Sequence, residues 1–286
     1  MKPPPFEYVV ADSVEGAVAA LGQDDAKVLA GGQSLVPMLN FRLLRPAILV
    51  DINRVPGLAH IEDAGDTIRV GALTRHHQLE TSPVIAGAFP VLSAAMAHVA
   101  HLAIRNRGTI GGSLSHADPA AELPMMALLL DATLTVASPA GTRSVAAKDF
   151  FLGALSVDLE PQDLVTGVVL PKLPAHTGWG FEEVARRHGD FALAAVGVTL
   201  TVSGGKIAEA RIAVTGVDET PKRIADAEAL LTGEALSPPL REAAIDAVRS
   251  SVTPNTDLHA SADYRRHLVG VLTGRALDAA WRRAAA

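Results

Sequence analysis

Apolar residues recur along this chain at helical spacing in some stretches and by alternation in others, and the changeover points outline its parts. Val14, Ala17, Val18 and Leu21 fall on one helical face behind Asp12–Glu15, which resembles a capping signal. A short apolar run, Lys27 to Ala30, reads as a strand and leads straight into Gly31-Gly32-Gln33-Ser34. Leu35, Met38 and Leu39 then form a second helical face, with Ser34 expected at its N-cap and Pro37 in its first turn. A strand over Ala47 to Ile52 closes a compact α/β unit of about 55 residues.

A second segment starts after Pro56-Gly57. Thr67 to Val70 alternates like a strand, and Val84 to Ala103 reads as a long apolar helix broken near Pro90. After Arg105-Asn106-Arg107-Gly108 comes a second Gly-Gly run, Thr109-Ile110-Gly111-Gly112-Ser113. A further helix is expected from Asp118-Pro119, with Asp118 as N-cap and Pro119 at the first helical position. Strands over Thr133 to Ala137 and Asp163 to Leu170 end the segment, and Pro171 to Gly178 reads as a linker. Beyond it the order changes. Strand-like runs at Phe181 to Val184, Ala192 to Val202 and Ala208 to Thr215 predict an antiparallel sheet, followed by helices at Ile224 to Leu231, Leu240 to Val252 and Ala262 to Trp281. Strands followed by helices indicate an α+β domain. The expected units are 1–57, 58–174 and 175–286.

Composition narrows the chemistry. The 286 residues include no cysteine, which removes disulfides, thiolate nucleophiles, Cys-held iron–sulfur or zinc sites and a Cys-linked flavin from this polypeptide. A net charge of −6 and 4% aromatic residues argue against a nucleic-acid surface. No unbroken apolar run, Met125 to Leu130 included, exceeds six residues, far too short for a transmembrane helix, and the Pro-rich start does not read as a signal peptide. A cytoplasmic protein is expected.

There is no G-x-G-x-x-G, P-loop, G-x-S-x-G or H-E-x-x-H pattern. His76-His77 and His98…His101 lack a third metal ligand, so these histidines are expected to be structural and no metal site is assigned. The two Gly-Gly runs are the best candidates for binding. Without Cβ atoms a backbone can approach a ligand and present N–H groups to an anion, and the neighbouring Ser and Thr hydroxyls add donors. Each run alone is more often an ordinary tight turn; two of the same chemistry suit the two charged groups of a diphosphate. For Asp118 and Glu122, cofactor-hydroxyl binding and a solvated helix start both remain open. For Asp190 and Phe191 in Arg186-Arg187-His188-Gly189-Asp190-Phe191-Ala192, a polar turn entering a buried strand competes with a carboxylate and ring beside a planar cofactor.

Ala30–Leu43, Ile104–Pro124 and Arg186–Ala192, in this order and spacing, together resemble the FAD-binding medium subunits of molybdenum hydroxylases, nearest to the carbon monoxide dehydrogenase branch. The tail Ala260–Leu268 is similar to the end of that family's C-terminal domain. The resemblance implies a two-lobed FAD-binding fold of the vanillyl-alcohol-oxidase type, followed by a C-terminal antiparallel sheet with three helices. It implies noncovalent FAD held by Leu29, Ala30, Gly31, Gly32, Gln33, Ser34 and Leu35 and by Thr109, Gly111, Gly112 and Ser113. It further implies that Ala117, Glu122 and Val165 contact the cofactor and that Asp190 and Phe191 lie beside its isoalloxazine. Glu182 stands where the xanthine dehydrogenase branch has a Lys, and the acceptor stays open among NAD, a quinone, oxygen and a carrier protein. By the same resemblance a large molybdenum-cofactor subunit and a small subunit with [2Fe–2S] clusters are partners, in a dimer of heterotrimers, and no residue here performs substrate chemistry. Two other readings stand beside it: a stand-alone flavin oxidase of the same fold, for which no Tyr, His or Arg cluster is evident, and an assembly subunit that has lost FAD, which the intact Gly-Gly runs oppose.

Overall fold

The computed structural model describes residues 1–284. The chain opens with β1 (Glu7–Val10), α1 (Val14–Leu21), β2 (Ala26–Leu29), α2 (Leu35–Asn40) and β3 (Ile48–Asp51), whose strands form a parallel sheet in the order β1-β3-β2. Ser13 caps α1 by accepting from the Gly16 amide at 3.1 Å. Ala17, Val18 and Leu21 of this helix bury against Ile48, Val50 and Ile52, and Leu164 and Ala137 of the next layer share the same core. β1 is an element that helical and strand periodicity did not predict. Its four residues are mostly exposed and do not alternate, and it forms by pairing with β3 rather than from local preference.

The second layer runs β4 (Ile61–Asp63), β5 (Thr67–Gly71), α3 (His76–Thr81), α4 (Pro83–Ala88), α5 (Pro90–Met96), α6 (Leu102–Arg105), α7 (Ile110–His116), α8 (Glu122–Leu129), β6 (Thr133–Ser138), β7 (Gly141–Ala146), α9 (Ala147–Phe150), β8 (Phe151–Gly153), β9 (Ser156–Val157) and β10 (Leu164–Pro171). Its antiparallel sheet has the order β4-β5-β10-β6-β7. Every residue of α8 is buried, so this helix is the centre of the layer rather than an amphipathic cover. The long helix expected over 84–103 is instead three short ones. Pro90 ends one, and a turn over 97–101 with Ala100 at φ +46° ends the next. His98 and His101 therefore do not share a helical face; they sit in that turn, His101 as the N-cap of α6.

The third layer is an antiparallel sheet of β11 (Thr177–Ala185), β12 (Ala192–Ser203), β13 (Lys206–Thr215) and β14 (Lys222–Arg223), in that order, covered by α10 (Ala225–Leu231), α11 (Pro238–Ser251) and α12 (Ala262–Ala284). β12 is buried on both faces along Ala192 to Leu200, as a central strand between two layers must be. One face packs on the second layer and the other on α10–α12. Among the described residues no helix is long and apolar enough to cross a membrane.

Candidate cofactor-binding site

The first Gly-Gly run leaves β2 and enters α2, and its backbone has unspent donors. The amides of Gly31, Gly32, Gln33, Ser34 and Leu35 have no acceptor among the described residues; the first amide of this stretch to find one is Val36, on the Gly32 carbonyl at 3.0 Å. The turn is held from behind. Asn53 Nδ2 donates to the Ala30 carbonyl at 2.8 Å and Gln33 Nε2 donates to the Gly31 carbonyl at 2.9 Å. Gly32 has φ +73°, a conformation that L side chains rarely adopt. Ser34 holds the N-cap position of α2, as expected, but with helical backbone angles and no capping bond from its side chain. The result is a row of five backbone N–H groups left without an acceptor among the described residues, the donor set that an anion-binding nest requires.

The second run is built differently. It is the start of α7, not a tight turn, with Thr109 as N-cap accepting from the Gly112 amide at 3.2 Å. Ile110 and Gly111 donate to the Thr74 and Ala72 carbonyls at 3.1 and 2.9 Å, and Ser113 donates to the Thr109 carbonyl. Most of its amides are therefore spent within the protein, and the hydroxyls of Ser113 and Ser34 make no hydrogen bond among the described residues. What this run contributes is close packing. A Cβ on Gly31 would collide with the Arg107 carbonyl and approach the Gly108 Cα to 2.9 Å; one on Gly111 would lie 2.6 Å from the Ala72 Cβ. Gly31 thus lies against the backbone just before the second run, Gly111 sits on Ala72, and a Cβ on Gly112 would lie 4.0 Å from the Ala30 Cβ.

A brace missed by sequence reasoning fixes that contact. Arg75 donates through Nη1 to the Arg107 carbonyl at 2.5 Å and through Nη2 to Asn53 Oδ1 at 2.7 Å. Nothing in the local pattern around Arg75 or Asn53 marks them; the bond exists because the two layers pack. His76 supports the same corner. Its Nε2 lies 3.0 Å from the Thr109 carbonyl, and burial pushes its imidazole down to about 4, so it is neutral near pH 7. Among the described residues no three His, Asp or Glu side chains are grouped to hold a metal ion.

α7 carries the chain from Thr109 to Ala117, about 12 Å along its axis at about 1.5 Å per residue. Ala117 ends it in the left-handed conformation, at φ +50°. The next helix does not start at Asp118. Asp118 Oδ1 accepts from the Ala120 amide at 2.9 Å, and the Pro119 carbonyl accepts from Thr215 Oγ1 at 2.7 Å and the Gly216 amide at 2.9 Å. These bonds hold 118–121 as a turn against the third layer, and α8 begins at Glu122.

Between that turn and the third layer lies a cavity of about 750 Å³. Asp118, Pro119, Asp190, Phe191, Arg265 and His259 are among its walls. Phe191 is 62% exposed into it, so it is not the core residue that the competing reading expected. The 186–191 loop is seated by Gly189, which packs on the His101 ring. Val165 lies on β10 just before a bulge and is buried in the second-layer core.

Glu122 is buried at the first position of α8, and burial pushes its carboxyl up to about 8, with the charge of Glu183 adding to the effect. It is therefore mostly protonated at pH 7. Strand alternation decides which β11 carboxylate it meets. Phe181 packs on the second-layer core and Val184 on the third-layer core, so Glu183 shares the Phe181 face and Glu182 the opposite one. The carboxylate turned towards the site is Glu183, not the Glu182 that sequence comparison singled out. Because the folded-state value is raised above the unfolded value of 4.5, the folded state keeps a proton that the unfolded state has lost. Stability should fall as pH rises from about 4.5 to about 8. Glu122→Gln should remove this slope, raising the melting temperature of the full chain more at pH 8 than at pH 5. An equal change at both pH values would show that Glu122 is not held neutral.

The chain is similar throughout to proteins of known kind. Residues 4–173 match the family described as the FAD binding domain in molybdopterin dehydrogenase, and residues 179–280 match the CO dehydrogenase flavoprotein C-terminal domain. The 6-hydroxypseudooxynicotine dehydrogenase complex subunit alpha of Paenarthrobacter nicotinovorans is 48% identical, covering 99% of this chain and 97% of that one. The carbon monoxide dehydrogenase medium chain of Hydrogenophaga pseudoflava is 39% identical over the whole of both chains. The solved structure of carbon monoxide dehydrogenase from the same organism superposes with a TM-score of 0.97 at 41% identity, covering 99% of each chain.

Proposed function

The chain belongs to the FAD-binding medium subunits of molybdenum-containing dehydrogenases, and we propose that in such a complex it carries electrons from [2Fe–2S] clusters of a small partner subunit, through FAD, to an external acceptor. It is an oxidoreductase subunit with an FAD-binding domain. The observation that carries the assignment of the site is the row of unspent amides from Gly31 to Leu35, seated against the glycine-packed start of α7. The residues present fit FAD. Five free N–H groups, the idle hydroxyls of Ser34 and Ser113 and a helix N-terminus suit a diphosphate. Ala117 at the end of α7, Glu122 at the start of α8 and Val165 on β10 are the next assigned positions, and Asp190 and Phe191 line the cavity beyond.

FAD supplies the redox chemistry, accepting two electrons and passing them on. The chain's own residues bind, orient and shield it. Leu29 to Leu35, with Thr109, Gly111, Gly112 and Ser113, would hold the diphosphate, the free amides of Gly31 to Leu35 and the Ser34 and Ser113 hydroxyls acting as donors and the second run supplying close approach. Glu122, protonated, donates a hydrogen bond to a cofactor hydroxyl. Asp190 and Phe191 flank the flavin and limit water access from the open cavity. The three layers act as the units 1–57, 58–174 and 175–286, the first two forming the FAD-binding lobes and the third covering them.

Without cysteine the chain cannot hold the clusters or a thioether-linked flavin, which supports noncovalent FAD and clusters on another polypeptide. The relatives described above are named for dehydrogenases of 6-hydroxypseudooxynicotine and of carbon monoxide, which supports a substrate read by a large molybdenum-cofactor subunit rather than here. A cytoplasmic dimer of heterotrimers is the proposed assembly. Tagging this chain in its own organism tests the reading. The purified material should be yellow, release FAD on acid treatment and bring two further chains with iron and molybdenum. A colourless preparation, or a lone chain that oxidises an organic substrate with oxygen, would overturn it.

A further inference from the structure

One half-buried cation stands between the two Gly-Gly runs. Arg75 is the N-cap of α3, and its amide is fixed by Gln78 Oε1 at 2.8 Å. Its backbone forms an isolated antiparallel bridge with Thr109, flanked by the bonds from the His76 amide to the Gly108 carbonyl at 2.9 Å and from the Ile110 amide to the Thr74 carbonyl at 3.1 Å. Its guanidinium turns to the first run. Nη1 donates at 2.5 Å to the Arg107 carbonyl, the group that fills the place of a Gly31 Cβ. Nη2 donates at 2.7 Å to Asn53 Oδ1, and Asn53 Nδ2 donates at 2.8 Å to the Ala30 carbonyl. Arg75 is therefore one neighbour away from both Ala30 and Gly31, where the row of free amides begins.

Both of its acceptors are neutral. Among the described residues every other arginine that is not exposed is ion-paired with a carboxylate, as Arg105 is with Glu80 at 2.9 Å, Arg223 with Glu228 at 2.6 Å and Arg265 with Asp257 at 2.8 Å. Arg75 alone has no such partner. Asp51 is kept from it by Asn53, which donates through Nδ2 to Asp51 Oδ1 at 2.6 Å; Asp51 also accepts from the Asn53 amide at 2.8 Å and from the Tyr8 hydroxyl. The neighbouring Arg107 is exposed and adds a second positive charge. Burial and the charge of Arg107 both work against the charge on Arg75, and Asp51 works for it. A cation drawn from water without a counter-charge is costly, and an anion bound beside it offsets that cost.

We propose that Arg75 is the counter-charge of the cofactor's diphosphate, left without a carboxylate so that the bound anion is what neutralises it. The proposal rests on the reading of the two runs as the FAD diphosphate site. The free amides of Gly31 to Leu35 supply direct hydrogen bonds but only partial charges. Arg75 adds a full charge behind the start of that row, and it acts through the Arg107 and Ala30 backbone rather than by touching the cofactor. It is a positioning residue in this sense, and its charge is a second contribution beside its brace. Asn53 fits the same design. As a neutral amide it accepts from Arg75 and holds the Ala30 carbonyl without cancelling the charge, which a carboxylate at that position would do.

Substitution separates the charge from the brace. Arg75→Gln keeps a neutral donor and removes the charge; Arg75→Lys keeps the charge and loses the planar fork that reaches both Asn53 and Arg107. The measurement is FAD affinity, read from the change in flavin fluorescence as FAD is added back to the complex stripped of it, with circular dichroism to confirm the fold. Arg75→Gln should bind FAD roughly tenfold more weakly at low salt, and added salt should then weaken it less than the wild type. Arg75→Lys should stay within about threefold of the wild type and keep the wild-type response to salt. Wild-type affinity in Arg75→Gln, or equal losses in the two variants with the salt response unchanged, would overturn the counter-charge and leave Arg75 a brace. If Arg75→Gln does not fold, the wild type and Arg75→Lys decide: a wild-type affinity that salt does not weaken, or a folded Arg75→Lys that has lost FAD, would overturn it. Each of these outcomes leaves the flavin assignment standing; a wild-type complex that takes up no FAD would overturn both.

Discussion

Gly31→Ala should strip FAD from the complex while leaving the secondary structure in place. The new methyl group has nowhere to go. It would collide with the Arg107 carbonyl and crowd the Gly108 Cα, both backbone atoms that cannot turn aside. The two runs must separate, which breaks the alignment of the free amides with the start of α7 and strains the Arg75 bridge to the Arg107 carbonyl and Asn53. Overpacking of this kind costs about 1–3 kcal/mol. If the cost falls on the bound geometry, FAD affinity drops roughly ten- to hundredfold. Gly87→Ala is the matched control, because nothing lies within 4 Å of a Cβ there. The check is the flavin-to-protein ratio of the purified complexes, with circular dichroism to confirm the fold. A Gly31→Ala complex with full flavin and unchanged affinity would show that the contact between the runs is not needed for binding.

The choice of Gly31 over the other glycines shows what the sequence could and could not say. Two Gly-Gly runs beside hydroxyl residues were visible as equals. Their structures are unequal, since one leaves five amides free and the other spends most of its own on Thr74, Ala72 and Thr109. Which amides are spent depends on β5 and the residues after it packing beside α7, a contact between residues some 35 positions apart that no local pattern records. The brace through Asn53 and Arg75 was unreadable for the same reason.

The third layer was the most legible part. β12, β13 and α10 to α12 are long enough for their periodicity to dominate, and their observed limits lie within a few residues of those expected. The short strands β4, β7, β8 and β9 carry too few apolar positions to alternate visibly, and they exist because neighbouring strands pair with them. The run 84–103 misled because its apolar content continues through Pro90 and the 97–101 turn, so composition suggested a helix where backbone geometry forbids one. That turn puts His98 beside Glu183. Likewise, Glu182 and Glu183 are adjacent in sequence, and only the pairing of β11 with β12 decides which one enters the site.

Arg265→Met should produce the largest loss of stability of any single substitution outside the flavin loops. Arg265, on α12, is 5% exposed. Its Nη1 donates to the Leu193 and Gly216 carbonyls, each at 2.8 Å, and its Nη2 donates to Asp257 Oδ2 at 2.8 Å. One guanidinium thus ties the longest helix to β12, to the turn after β13 and to the loop beneath it. All three attachment points border the cavity that Phe191 enters. Methionine keeps much of the volume and removes every donor. Two buried carbonyls lose their partner and Asp257 loses its counter-charge, and breaking a buried charged network from one side costs about 3–5 kcal/mol. In a chain of this size that corresponds to a fall in melting temperature of roughly 6–15 °C. Its neighbour Arg266 pairs with Asp263, whose side chain is 97% exposed, so Arg266→Met should change stability by less than about 0.5 kcal/mol. Because the bonds of Arg265 shape the cavity wall, the variant should also lose flavin on mild heating before it unfolds. Thermal denaturation followed by circular dichroism and by flavin fluorescence would separate the two events. Coincident transitions at the wild-type temperature would show that the Arg265 network supports neither the layer nor the cavity.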